Sequence, residues 1–194
     1  MVSLEKFYSY TEVFYEDESL KGRFQPLLDD VIKRLPDKPP FPVIGIFLIA
    51  SRALVIEHLK GLDPRKKAQL DVTPESRDGH CFTGINENGD INEYHISIIT
   101  DFLEPKSDDY IKGLIIHEIS HMIYVWRLLQ KKKSDYAKLG RKAKQIRFNQ
   151  IGQTDNIPET KEYYEKEGSV NAEAVRLGFG KEIRALEEEF ANIK

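Results

Sequence analysis

Between Asp108 and about Lys132, apolar residues recur at Ile111, Leu114, Ile115, Ile119, Met122, Ile123, Trp126 and Leu129. The spacing is helical, and the stripe is so broad that other elements must cover most of the helix. The fold has to be built around such a segment. The same helix carries His117, Glu118 and His121. Polar groups on a buried helix require partners, and that demand directs the rest of the reading.

The remaining elements follow from periodicity and breakers. Residues 4–16, rich in aromatics, predict a short helix packed on the body. Leu20 to Leu35 is apolar at helical spacing and stops at Pro36, and Pro39-Pro40 marks a turn. Val43 to Ile49 reads as a buried strand. Residues 60–79 read as a loop, with Asp63-Pro64, Thr73-Pro74 and Asp78-Gly79 as turn signals. Cys81 to Ile85 and Ile91 to Thr100 form the arms of a hairpin around Asn86 to Asp90. A second, basic helix is expected over 134–148. Two closing helices, Pro158 to Leu177 and Lys181 to Ile193, are separated by Gly178-Phe179-Gly180. Strands early and helices late predict an α+β fold. In it a small mixed or antiparallel sheet packs on the buried helix, and the C-terminal half is mostly helical. We expect one domain over 1–194, with 1–105 rich in helix and strand and 106–194 helical.

At 194 residues, with 40% hydrophobic and 31% charged, the chain can bury a sizeable core without staples. A formal charge of -3 argues against nucleic-acid or membrane binding through net charge. Cys81 is the only cysteine, which excludes an internal disulfide and the four-cysteine and two-cysteine zinc sites. The N-terminal residues lack a signal-peptide pattern, and Phe41 to Ala50 is too short to span a bilayer. A cytoplasmic location is the expectation.

His117-Glu118-Ile119-Ser120-His121 is HExxH. Histidines four apart share a helical face, so both rings can converge on one ion. Among only five histidines, at 58, 80, 95, 117 and 121, this arrangement arises by chance roughly once in a hundred. Catalytic zinc takes three protein ligands and leaves one position open, and Glu118 is placed to serve as the base toward water there. No histidine follows His121, so the third ligand must be a carboxylate, and families with a downstream histidine ligand, such as the metzincins, are excluded. Glu167-Gly168-Ser169-Val170-Asn171-Ala172-Glu173-Ala174 supplies it. Glu167 and Asn171 are one turn apart, which lets the carboxylate bind metal while the amide holds a ligand imidazole in its productive tautomer. Gly168, Ser169, Ala172 and Ala174 would permit a close helix approach. Glu173 is the rival ligand, six positions from Glu167 and therefore on another face.

With HExxH at His117–His121 and ExxxN at Glu167–Asn171, the sequence resembles the gluzincin metallopeptidases, whose later helix carries ExxxD. The resemblance implies one Zn2+ per chain held by His117, His121 and Glu167, with Glu118 catalytic and a peptide or protein as substrate. It also implies that an extended peptide pairs with an edge strand preceding the HExxH helix, a place held here by Ile91 to Thr100. Asn171 departs from the pattern, since an amide is a weaker acceptor than the expected Asp.

Tyr163, Tyr164, Arg176 and His95 are the candidates for stabilising an oxyanion. His80 and Cys81 form a second pair of possible ligands, through which a thiolate could hold the site latent, and His58 is assigned to packing or surface. Arg127 to Arg147 carries nine cations against Asp135, about +8. It keeps a nucleic-acid partner open, although a solvated helix is the favoured reading; no membrane partner is expected. The alternative to an enzyme is a non-catalytic zinc-containing binding or regulatory protein of the same fold.

Overall fold

Side-chain caps open the first two helices in a computed structural model that describes residues 3–36, 45–62, 78–85, 91–136 and 161–191. Ser3 accepts the Lys6 N–H and opens α1 (Leu4–Tyr10), and Asp17 accepts the Leu20 N–H and opens α2 (Glu18–Arg34). Each cap satisfies a donor that the first helical turn leaves unpaired. The helix expected over 4–16 is shorter than that, because Thr11–Tyr15 is strand β1. Thr11, Val13 and Tyr15 alternate with exposed Glu12 and Phe14, the two-residue period of a half-covered strand.

Strand β2 (Gly45–Ala50) is followed by α3 (Arg52–Leu62), which the loop expected from residue 60 did not anticipate. The expected hairpin is present as β3 (Gly79–Ile85) and β4 (Ile91–Ile99), paired antiparallel; its turn at 86–90 lies outside the described residues, as does Pro39-Pro40. The sheet order is β1-β2-β4-β3, with β1, β2 and β4 mutually parallel. The α+β class with a small mixed sheet therefore holds. The strand of Ile91 to Thr100, expected at an edge, is interior, and β3 is the edge on that side. Every residue from Tyr94 to Ile99 is buried, as befits an interior strand covered on both faces.

Both sheet faces are covered. Phe47, Ile49, Tyr94, Ile96 and Ile98 join the main core with α2. Leu48, Ala50 and Ile99 meet Val55 and Ile56 of α3 on the other face. Thr11, Gly45 and Tyr94 are aligned across three strands. A Cβ on Gly45 would clash with the hydroxyl end of the Tyr94 ring, so the glycine lets that ring cross β2, and the Tyr94 hydroxyl reaches Thr11 Oγ1.

The long apolar stripe forms α4 (Asp108–Tyr136), opened by Ser107, whose hydroxyl accepts the Tyr110 N–H. It continues past the expected end at Lys132; the rest of the expected helix over 134–148 lies outside the described residues. α5 (Lys161–Arg176) and α6 (Gly180–Ala191) follow. Gly178, at φ 95°, ends α5: Phe179 N–H donates to Ala174 O and Gly178 N–H to Val175 O. That pair of bonds needs a left-handed residue at this position, which glycine adopts without a Cβ penalty. Arg34 of α2 donates to Gly178 O and pairs with Glu182, tying the corner to the core. Among the described residues, no helix is long and apolar enough to cross a membrane.

Candidate metal centre

The core decides where the two histidines point. Ile111, Ile115, Ile119, Met122 and Ile123 of α4 are buried in the main cluster with α2 and the sheet. His117 and His121, on the adjoining flank, are half-buried and face α5. Their rings stand edge to face with centroids 4.8 Å apart. From α5, Glu167 Oε2 reaches His117 Nε2 at 3.0 Å and His121 Nε2 at 3.5 Å, while the two Nε2 atoms are 3.1 Å apart.

These separations can be compared with what an ion requires. Ligand atoms about 2.0–2.1 Å from a tetrahedral zinc stand roughly 3.3 Å from one another. The three observed values of 3.0, 3.1 and 3.5 Å bracket that length. Two imidazole nitrogens and one carboxylate oxygen form a donor set of the right number and kind, and the group of His117, His121 and Glu167 could hold a metal ion.

The charge balance points the same way. Burial favours a neutral His117, but the hydrogen bond to Glu167 and the charges of Glu118 and Glu167 outweigh it and push the ring up to about 9. Burial also works against the Glu167 carboxylate, yet the two histidines hold it well below the usual carboxylate range. Without a metal, the site thus takes up a proton to meet its need for positive charge. A metal bound at the same nitrogen displaces that proton.

Asn171, one turn after Glu167, has its Oδ1 2.8 Å from His117 Nδ1. A proton on Nδ1 leaves the Nε2 lone pair directed at the centre. Glu173, the rival ligand, is turned away: it accepts from Arg176 at 2.8 Å and forms an ion pair with Arg127 at 3.1 Å. It clamps α5 to α4, and its burial pushes its carboxyl up despite Arg127.

Glu118 is 4% exposed and lies against the sheet edge. A Cβ placed on Gly79 would stand 2.5 Å from Glu118 Oε1, 2.8 Å from Cγ and 2.9 Å from Cδ. The backbone at the start of β3 therefore occupies space beside the carboxylate that any other residue would fill.

The other sequence candidates are placed elsewhere. His95 lies on the α3 side of the sheet, its ring 6.5 Å from that of His58, so it is not at the metal centre. Arg176 is engaged with Glu173. The side chains of Tyr163 and Tyr164 lie outside the described residues. His80 is buried opposite Ser97, and half-buried Cys81 packs on the main core with Sγ 3.9 Å from Thr83 Oγ1. Neither His80 nor Cys81 belongs to the metal-binding group. The helix contact expected from the small residues of α5 is also different. Ala174 is buried, but Gly168 has open space around it. The close approach is at Gly113 of α4, where a Cβ would strike the Glu182 carbonyl of α6. Of the basic segment, Arg127 is paired with Glu173, and the side chains from 128 to 147 lie outside the described residues.

Two contributors to the site escaped the sequence reading. In the sequence Gly79 reads as a turn signal, and only its position against Glu118 gives it another role. Glu187 was one of three consecutive glutamates, and it accepts a hydrogen bond from Asn171 Nδ2 at 2.9 Å. No protein-family model, curated protein or solved structure matches the chain.

Proposed function

We propose that this chain is a zinc-dependent hydrolase acting on peptides or proteins. The observation that carries the reading is the approach of His117 Nε2, His121 Nε2 and Glu167 Oε2 to within 3.0–3.5 Å of one another. Three protein ligands with a fourth position open are the signature of catalytic rather than structural zinc. The gluzincin-like pairing of HExxH with ExxxN supports the same reading.

Zinc bound there would polarise a substrate carbonyl and lower the pKa of water. The protein does the rest. Glu118 accepts the proton of the attacking water and delivers it to the leaving nitrogen. Its burial beside Gly79 keeps the carboxylate in one place, so little reorganisation is needed at the moment of transfer. Asn171 holds His117 in the ligating tautomer, and the Glu173 clamp holds Glu167 in reach. An extended substrate would pair with β3, the edge strand that touches Glu118 through Gly79, and not with interior β4.

Metal analysis should find about one zinc per chain. Glu118→Gln should keep that zinc and lose hydrolysis of an unstructured protein substrate. Undiminished hydrolysis in that variant would remove the mechanism. Zinc without turnover in the unaltered chain would favour the non-catalytic alternative.

A further inference from the structure

We infer that Glu187 of α6 is a positioning residue that orients the Asn171 amide so that its oxygen, and not its NH2 group, meets Nδ1 of His117. The inference rests on the metal-centre reading and concerns why an amide can stand where the resembling family has a carboxylate. An amide side chain has two unlike ends, one that accepts hydrogen bonds and one that donates them. Asn171 touches His117 Nδ1 with one end, at 2.8 Å, and Glu187 with the other, at 2.9 Å.

A carboxylate only accepts. Glu187 therefore demands the NH2 end of Asn171, and Oδ1 is left to face His117. Oδ1 in turn accepts from Nδ1–H, which keeps the neutral ring's Nε2 lone pair free. If the amide turned over, NH2 would face Nδ1, Nδ1 would have to accept, and the proton would sit on Nε2, where a metal must bind. An aspartate at 171 would have no wrong way round, because both its oxygens accept. The weaker acceptor thus comes with an orienting partner, supplied from a different helix sixteen residues away in sequence.

This account predicts a specific dependence between the two positions. Glu187 is exposed, so reversing its charge leaves the core untouched. Glu187→Lys replaces an acceptor with a donor and should turn the amide. Zinc affinity, read by competition with a chelator, should fall about tenfold, in the range found for lost outer-shell partners. In the N171D chain the same E187K change should alter affinity less than twofold, since there is no amide to misdirect. Equal losses in both backgrounds would show a plain charge effect, and no loss in either would show no effect at all; each result overturns the inference.

A metal-free measurement separates this inference from the proposal on which it rests. In metal-free protein, the side-chain NH2 group of Asn171 can be placed by NMR from its proton contacts, against Glu187 or against the His117 ring. It should lie against Glu187 in the unaltered chain and turn toward the ring in E187K. An unchanged amide would overturn the role of Glu187 even if zinc binds. The expected turn would uphold it even if the unaltered chain bound no zinc.

Discussion

Gly79→Ala tests how Glu118 is held. The added Cβ would lie 2.5 Å from Glu118 Oε1 and 2.8 Å from Cγ, whereas ordinary contact begins at 3.4 Å. Turning the carboxylate about its terminal bond cannot relieve the clash at Cγ, so the side chain must retreat by about 0.6–0.9 Å. Misplacement by about 1 Å costs on the order of a hundredfold in rate. The variant should therefore lose about 10- to 100-fold in kcat, with KM and zinc content essentially unchanged. Hydrolysis of an unstructured protein and metal analysis of the same preparation would measure both. Full activity in G79A, or loss of zinc together with activity, would refute the reasoning.

Further outcomes follow from neighbouring contacts. Glu167→Gln should abolish tight zinc binding, while Glu173→Gln should retain zinc and lower stability by about 1–2 kcal/mol as its ion pairs with Arg127 and Arg176 are lost, measured by chelator competition and chemical denaturation. In metal-free protein, the folded value of His117 is raised to about 9 from 6.5. Its contribution to stability is full below pH 6.5 and lost as pH rises through about 9; that of Glu167, whose folded value is lowered, is present above pH 4.5 and lost as pH falls below it. Denaturation midpoints against pH should show both limbs, and saturating zinc should abolish the alkaline one. Gly168→Ala, with open space around it on α5, should stabilise by about 0.5–1 kcal/mol. Gly113→Ala should destabilise by about 1–3 kcal/mol, because its Cβ meets the backbone of α6; thermal melts would show opposite shifts.

What could be read in advance was what depends on local spacing. The α4 stripe announces a buried helix because helical period alone sorts Ile111, Ile115 and Ile119 from the polar flank. The same period brings His117 and His121 together and sends Glu167 and Glu173 to different sides of α5. The β3–β4 hairpin was visible because its arms flank a Gly-containing turn. Strand order was not, because parallel pairing of β1 and β2 joins residues such as Thr11 and Gly45, with a helix between them and no local trace. That is why β4 was expected at an edge. β1 itself was hidden by the aromatic run that α1 shares with it. α3 was missed because its apolar face is short: Val55 and Ile56 cover a small second core. Gly79 and Glu187 act only through partners distant in sequence, so no pattern could single them out.

Zinc-edge anomalous diffraction from crystals of the zinc-loaded protein most directly tests the central claim. We predict one peak per chain, bonded by His117 Nε2, His121 Nε2 and a Glu167 oxygen at about 2.0–2.2 Å, with solvent completing the tetrahedron. A chain without such a peak, or with the metal on Glu173 or on no carboxylate, would contradict the account.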